Sequence, residues 1–202
     1  MRFQTKRLIL RPLKLSDWKY LVEGLGDLKV ARFIETPYPY KKRHAVKLIT
    51  ECIKEHRKKK PSKYFFGIEL KVEKRFIGFT VLNFIDYFAK NTITGSVIIR
   101  KYQRKGYTTE AKVPIFDFAF NKLKLVRLYA GAYVGNKASN KMIKSLGYKY
   151  EGTAKKARRA RSTKMWHDLN NYGMLKEYWV KARPKIIKKL KKYPSARVKA
   201  TL

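Results

Sequence analysis

The sequence predicts a single α/β domain of the α+β kind, with helices packed on a mixed sheet. Strand-like runs cluster in the first half of the chain, whereas strand, loop and helix patterns alternate in the second half. The 202 residues suit one compact domain, and a hydrophobic share of 45% supplies enough apolar material for its core. This order of elements argues against a regular doubly wound sheet.

The first predicted elements are a strand, a short helix and a longer amphipathic helix. Residues 5–13 place three aliphatic residues between basic ones, and a proline follows, which predicts an opening strand. Ser16 and Asp17 offer N-caps for a short helix that ends near Gly24 or Gly26. The longer helix is marked by positions spaced by three and four, namely Ala45, Leu48, Ile49, Cys52, Ile53 and His56.

Three strands and a loop follow in the middle of the chain. The runs 64–70 and 76–85 are rich in β-branched and aromatic residues, and the polar segment KVEK between them predicts a hairpin turn. A third strand covers about residues 92–100. The loop 103–108 then opens a helix that contains Pro114, so we expect a bend near this proline.

The second half of the chain alternates between strands and helices. We predict a strand at 126–134, a short helix at 138–146 that Gly147 closes, and extended structure at 148–151. The run 165–178 alternates in polarity, which predicts the last strand.

Two basic stretches lie on either side of the last predicted strand. Residues 154–164 and 180–202 are low in apolar content, so neither needs to be ordered by itself. We therefore divide the chain into a domain at 1–179 and a basic C-terminal tail at 180–202. The tail is compatible with a basic helix that ends before Pro194.

The strongest compositional signal is the net charge. Lys and Arg number 50 against 14 Asp and Glu, which gives +36. This excess predicts an acidic partner, with nucleic acid first, an acidic protein next and an anionic membrane surface third. No run reaches the roughly 20 uncharged apolar residues of a membrane span, and the N-terminus does not resemble a secretory signal. We expect a soluble, cytoplasmic protein without a membrane partner.

The few cysteines and histidines argue against disulfide and metal chemistry. Cys52 is the single cysteine, so an internal disulfide is excluded, and three histidines remain as imidazole ligands. We therefore expect no metal. Because Cys52 lies on the apolar face of its helix, it is most simply a core residue.

The segment IIRKYQRKGYTTEA predicts an anion-binding turn. A strand runs into a loop that contains Gly106 and then directly into a helix, whose free backbone N–H groups and dipole favour a phosphate. Arg104 and Lys105 add positive charge, and a glycine lets a bulky phosphate approach the backbone. Alone, such a turn is a weak signal, because a single glycine in this position is not a specific motif.

Together with the segment NKASNKMIKSLGYKYEG, this turn resembles the GNAT superfamily of acetyl-CoA-dependent N-acetyltransferases. The resemblance is to the branch of the RimJ and RimL ribosomal-protein N-terminal acetyltransferases. The family loop reads Gln/Arg-x-x-Gly-x-Gly/Ala, and Gln103, Gly106 and Thr108 stand at its fixed positions, with Thr108 in place of a small residue. TKRLILRPL and MWHDLNNYGMLKEYW are similar to the first and closing strands of the branch, so the resemblance covers about residues 3–179.

The resemblance implies a mostly antiparallel mixed sheet with helices on both faces, splayed where acetyl-CoA enters between two central strands. The pyrophosphate of CoA would lie on the loop, and the pantetheine arm would lie along the backbone N–H groups of the preceding strand. The cofactor contacts implied in this way are Val97, Ile98, Ile99, Gln103, Arg104, Lys105, Gly106, Tyr107, Thr108, Asn136, Ser139 and Asn140.

The resemblance also implies direct transfer in a ternary complex, in which an amine attacks the thioester and a thiolate leaves. Ser139 is the candidate donor to this thiolate, with a helix N-cap as the equal alternative. Many relatives carry a glutamate on the strand before the loop, but residues 93–94 here carry no carboxylate. Asp168 is the catalytic candidate for orienting the amine or relaying its proton, and Glu69 and Asp86 are alternatives.

The missing glutamate favours an N-terminal α-amine over a lysine, because their unperturbed pKa values are about 7.7–8.0 and about 10.4. The first hypothesis is therefore acetylation of the N-terminus of a protein in an acidic setting, such as a ribosomal protein. The alternative is a catalytically impaired nucleic-acid-binding protein on the same scaffold, which contacts the ribosome, RNA or DNA through its basic stretches. A small amine as acceptor ranks last, and the sequence leaves the oligomeric state open.

Overall fold

The computed structural model describes residues 1–194, which form an eight-stranded sheet and six α-helices. The strands are β1 (Phe3–Gln4), β2 (Leu8–Pro12), β3 (Tyr64–Leu70), β4 (Arg75–Asp86), β5 (Asn91–Ile98), β6 (Arg127–Tyr133), β7 (Lys149–Arg159) and β8 (Trp166–Leu175). The helices are α1 (Trp18–Gly26), α2 (Leu28–Ala31), α3 (Lys42–His56), α4 (Tyr107–Asp117), α5 (Lys137–Ser145) and α6 (Lys176–Lys191). The predicted mixed α/β fold is confirmed.

The sheet is antiparallel except at one central pair. Its strand order is β1-β2-β3-β4-β5-β6-β8-β7, and β5 and β6 are the parallel neighbours. These two strands pair only from Asn91, opposite Arg127, to Ile93, opposite Tyr129. Beyond this point β5 continues beside β4, and β6 continues beside β8. The two central strands therefore part, as the splayed sheet predicted above requires.

Local sequence signals account for most of these elements. Ala45, Ile49 and Cys52 form the buried face of α3, as their spacing predicts. Gly147 follows α5 with φ of +96°, the left-handed conformation of a helix C-terminus. Near Pro114 the irregularity is a π-helical turn over Phe118–Lys122, which directly follows α4.

The basic stretch 154–164 is more ordered than the sequence suggests. β7 continues through it to Arg159, which pairs with Trp166 of β8. β7 is the outermost strand of the sheet, so its lysines and arginines face solvent, as is typical of a protected sheet edge. The expectation that this stretch need not be ordered is corrected, because its hydrogen bonds with β8 order it although it lacks an apolar pattern.

The C-terminal segment forms a helix that packs on the domain. β8 ends at Leu175, three residues before the predicted end, and α6 begins at Lys176. The division drawn at residue 179 falls within α6, where Trp179 is buried and donates a hydrogen bond from Nε1 to Asp117 at 2.9 Å. The helix ends before Pro194, and residues 195–202 of the tail lie outside the described residues. No helix within residues 1–194 is long and apolar enough to cross a membrane.

Candidate active site

A cleft opens where β5 and β6 part. Its outer part has a volume of about 520 Å³ and is lined by α2, by the loop before α4, and by the first turns of α4 and α5. Its inner part, of about 340 Å³, lies between β5, β6 and the helices α4 and α5. Ser96, Val97, Asn136 and Ser139 line both parts, so the cleft is continuous from its mouth to its interior.

The mouth of the cleft presents a helix N-terminus. Gly106 precedes α4 with φ of +76°, and Arg104, two residues earlier, also has a positive φ, of +62°. The first hydrogen bond of this turn runs from the N–H of Glu110 to the carbonyl of Gly106, so the N–H groups of residues 107–109 have no acceptor within the helix. Gln103 ties the loop to β5, because its Nε2 donates to the carbonyl of Ile98 at 2.9 Å.

Contacts with the side chain of Arg7 hold this loop in place. The side chain of Arg7 donates to the Glu110 carboxylate and to the carbonyl of Lys105 at 3.0 Å. Its guanidinium lies between the rings of Tyr107 and Tyr193, 4.5 and 4.4 Å from their centroids. The cleft lining includes Arg104, Gly106, Tyr107 and Thr108 but not Lys105. Lys105 therefore contributes its backbone to the loop, and its predicted contact with the cofactor is not supported.

The backbone groups of β5 that face the cleft differ in part from those predicted. The N–H of Ile99 donates to the carbonyl of Ile77 at 2.9 Å, so it belongs to the sheet and is not free to bind a ligand. Val97 pairs with Phe79 of β4 and points its backbone to the same side as Ile99. Ile98 and Ser96 therefore direct their backbone groups toward the cleft. Sequence analysis missed Ser96 because the pairing of β5 with β4 decides which backbone groups face the cleft, and the sequence alone does not show this pairing.

The first turn of α5 brings two predicted residues to the cleft. Asn136 is the N-cap, since its Oδ1 accepts a hydrogen bond from the N–H of Ser139 at 3.1 Å. The capping alternative for Ser139 is thus wrong. Ser139 lies in the first turn of α5. It is half-buried and lines both parts of the cleft.

Asn140 has a structural role instead of the predicted cofactor contact. Its Nδ2 donates to the carbonyls of Tyr133 and Asn136, at 2.9 and 2.8 Å. Its Oδ1 accepts from Asn170 at 2.8 Å and from the hydroxyl of Tyr172 at 2.6 Å. This amide joins α5 to β6 and β8, and it lines neither part of the cleft.

The three acidic residues considered for catalysis lie outside the cleft. The N–H of Lys156 and the ammonium of Lys155 bind the Asp168 carboxylate and lower its pKa. Glu69 pairs with an arginine of β2, and Asp86 accepts backbone N–H groups in the turn after β4. None of the three lines the cleft, so the structure does not bring Asp168 together with the other candidate site residues. Within residues 1–194, no three His, Cys, Asp or Glu side chains gather in a way that could hold a metal.

The inner cleft contains a basic side chain that sequence analysis missed. Lys112 is only 2% exposed, and its Nζ donates to the carbonyl of Gly95 at 2.8 Å. Burial lowers the pKa of Lys112 to about 7. Lys112 shares a helix face with Ile115, Phe116 and Ala119, at spacings of three, four and seven, and this spacing was the available signal for its burial.

A second, basic groove of about 870 Å³ runs between the loop before α3 and the turn that joins β7 to β8. Five cationic side chains line it, namely Lys41, Arg43, Arg159, Arg161 and Lys164. No Asp or Glu contributes to this lining in the described part of the chain. The groove is thus a surface suited to an acidic ligand.

The sequence and the fold both match known acetyltransferases. A family model described as an acetyltransferase (GNAT) domain matches residues 7–149. The uncharacterized N-acetyltransferase YnaD of Bacillus subtilis (strain 168) is 29% identical over 180 residues, which cover 89% of this chain and 99% of YnaD.

Two solved structures share the fold. The ribosomal-protein-S5-alanine acetyltransferase of Vibrio fischeri aligns with a TM-score of 0.77 and 21% identity, over 89% of this chain and 98% of that one. RimL, a ribosomal L7/L12 alpha-N-protein acetyltransferase in complex with coenzyme A, aligns with a TM-score of 0.76 and 18% identity, over 87% and 98%. Given the family match over most of its length, this chain belongs to the GNAT acetyltransferases and is an acetyltransferase that depends on an acyl-CoA donor.

Proposed function

We propose that this protein transfers an acetyl group from acetyl-CoA to the N-terminal α-amine of another protein, such as a ribosomal protein. The observation that carries the proposal is the cleft between β5 and β6, which has the glycine-capped N-terminus of α4 at its mouth. Helix N-termini bind phosphate through free N–H groups, and a splayed strand edge can accept an extended chain.

The residues at the mouth fit the pyrophosphate of CoA. The N–H groups of residues 107–109 are free of helix bonds, and Arg104 adds a cation beside them. Further in, Ser96 and Ile98 would bind the amide groups of the pantetheine arm as an added strand. This path leads to Ser139, whose side chain lines both parts of the cleft.

In the proposed reaction the acceptor amine attacks the thioester carbonyl carbon directly. A C–N bond forms, the C–S bond breaks, and the sulfur leaves as a thiolate that takes up the proton released by the amine. In this reaction Ser139 would donate a hydrogen bond to the departing sulfur. No carboxylate lines the inner cleft among the described residues, so the amine must arrive neutral. An α-amine, with a pKa of about 7.7–8.0, meets this requirement better than a lysine.

The basic groove supports an acidic acceptor. Its five cations lie in the loop before α3, the first turn of α3, the end of β7 and the turn that follows β7. A protein N-terminus followed by Asp and Glu complements them. The shared fold with two ribosomal-protein acetyltransferases supports a protein acceptor of this kind.

The test is acetyl transfer to peptides. Three peptides carry the same N-terminal residue followed by acidic, neutral or basic residues, and a fourth has a blocked N-terminus and one free lysine. We expect thiol release and N-terminal acetylation, detected by mass spectrometry, with the acidic peptide the best acceptor. Preference for the blocked peptide would contradict an Nα-acetyltransferase.

The same groove supports one other candidate, a nucleic-acid-binding protein with impaired catalysis. This alternative predicts binding of an RNA oligonucleotide that weakens steeply with salt, because each phosphate contact releases a counterion. It also predicts no CoA thiol release with any of the four peptides.

A further inference from the structure

The Lys112 ammonium lies in the inner cleft without an acidic partner. Its Nζ donates one hydrogen bond, to the carbonyl of Gly95, and the ring of Phe116 lies 5.6 Å away. The protonated amine of a lysine has three N–H donors, so two remain for an anion that keeps the amine protonated. Lys112 lines the inner cavity, and no Asp or Glu does so among the described residues.

An arrangement of this kind is costly without a ligand. A buried charge destabilises a fold unless an opposite charge or several hydrogen bonds compensate it. A leucine or methionine would fill the same place on α4 at no such cost, because Val113, Ile115 and Phe116 around it are buried and apolar. An anion bound in the cavity would supply the missing partner.

The cavity has room and further donors for such an anion. Its volume of about 340 Å³ exceeds what an acetyl group fills, and most of its walls are aliphatic or aromatic. The hydroxyl groups of Thr94 and Tyr148, both buried, lie 2.7 Å apart in the same wall. Only one of these two hydroxyls can donate to the other, so one O–H remains for a ligand. The inner end of the cleft is therefore apolar in its walls and polar at Lys112 and this hydroxyl pair.

We propose that the inner cavity also accepts acyl chains that end in a carboxylate, and that Lys112 pairs with this carboxylate. The donor class is the CoA monothioester of a short dicarboxylic acid, with succinyl-CoA as the representative. The transfer is balanced as for acetyl: the amine forms a C–N bond with the thioester carbon, the C–S bond breaks, and the thiolate takes up the proton of the amine. The inference rests on the proposed CoA site and goes beyond acetyl transfer.

Two donors of equal chain length test the inference. Succinyl-CoA and butyryl-CoA differ only in having a carboxylate or a methyl group at the end of the acyl chain. Calorimetric titration of the full chain at pH 7.5 gives the ratio of their dissociation constants. We expect at least tenfold tighter binding of succinyl-CoA, and we expect Lys112→Met to remove this preference. Lys122→Met, which removes an exposed charge after α4, should leave the ratio unchanged.

Proton uptake is a second readout that does not depend on a variant. A carboxylate beside Lys112 raises the pKa of its ammonium, so binding of succinyl-CoA should draw a proton from the buffer at pH 7.5. Titrations in two buffers of different ionisation enthalpy measure this uptake, and butyryl-CoA should show much less. Within residues 1–194, the other titratable side chain that lines the cavity is Tyr148, and burial raises its pKa far above the pH of the experiment.

The outcomes separate this inference from the proposed function. Equal binding of the two donors by the wild-type protein, or a preference that persists in Lys112→Met, would overturn the role of Lys112 and leave the acetyl-CoA site standing. Failure of acetyl-CoA, butyryl-CoA and succinyl-CoA alike to bind would overturn the inference together with the proposed function.

Discussion

Arg7 and Glu110 form a buried ion pair, with Nε and Oε2 2.6 Å apart, although 103 residues separate them in the chain. Both side chains are more than 90% buried, and the backbone N–H of Arg7 also donates to the same carboxylate at 2.8 Å. The pair joins the segment before β2 to the first turn of α4. The geometry of the loop before α4 therefore depends on residues at the start of the chain.

Breaking this pair should destabilise the whole domain. Glu110→Gln leaves the Arg7 guanidinium buried without a counter-charge, which costs about 3–5 kcal/mol. Urea unfolding followed by circular dichroism measures the loss. The matched control is Glu23→Gln, which breaks a partly exposed pair with Arg75 and should cost about 1 kcal/mol or less. Similar small effects in both variants would show that the pair does not hold the loop.

Gly106 should be essential to cofactor binding. A Cβ at this position would lie 2.8 Å from ring atoms of Tyr193, and the φ of +76° is unfavourable for any other residue. We expect Gly106→Ala to weaken acetyl-CoA binding at least tenfold in a calorimetric titration. Gly26→Ala is the control, because the nearest atom to its new Cβ lies 3.8 Å away. Equal affinity for acetyl-CoA in the two variants would show that the loop is not part of the cofactor site.

Lys112 should make stability depend on pH. Its pKa is about 7 in the folded protein and about 10.4 in the unfolded chain, so between these values the unfolded state binds more protons. The stability of the wild-type protein should therefore rise with pH, relative to Lys112→Met, by up to about 1.4 kcal/mol per pH unit. Denaturant unfolding of both proteins at pH 7.5, 8.5 and 9.5 measures this difference. A constant difference would mean that Lys112 titrates normally.

Charge reversal in the basic groove should affect the acceptor and not the cofactor. We expect Arg161→Glu and Lys164→Glu each to raise the KM for an acidic acceptor peptide about tenfold at low salt, with little change for a neutral peptide. Both side chains line the groove. Lys122→Glu, outside the groove, makes the same change in net charge. An equal rise in KM in this control would point to the overall field of the protein instead of the groove.

Local signals in the sequence predicted the fold well. The run 64–70, rich in β-branched and aromatic residues, coincides with β3. The spacing in residues 45–56 gives the buried face of α3, and Gly147 closes α5. Each of these features depends on residues close in the chain, so a single sequence suffices. β7 is an exception beyond residue 151, because its Lys- and Arg-rich residues become a strand only through pairing with β8.

The site was predicted less completely, because its details depend on distant partners. The loop at Gly106 and the positions of Asn136 and Ser139 follow from the motif, and the structure brings them to one cleft. The hydrogen bonds of Asn140 and Ile99 depend on how distant strands pair, and a sequence motif does not specify that pairing. Asp168 was chosen for its chemistry, but hairpin pairing directs its carboxylate to two lysines.

We propose that residues 103–108 and the edge of β5 form a CoA site, and calorimetric titration of the nucleic-acid-free protein tests this claim. Acetyl-CoA and dephospho-CoA are titrated at low and at moderate salt into the wild-type protein and into Gly106→Trp. We predict saturable one-to-one binding of acetyl-CoA that survives moderate salt and is lost in the variant. Binding that disappears with salt, or that any polyanion matches, would show that the net charge of +36 alone is responsible and would contradict the claim.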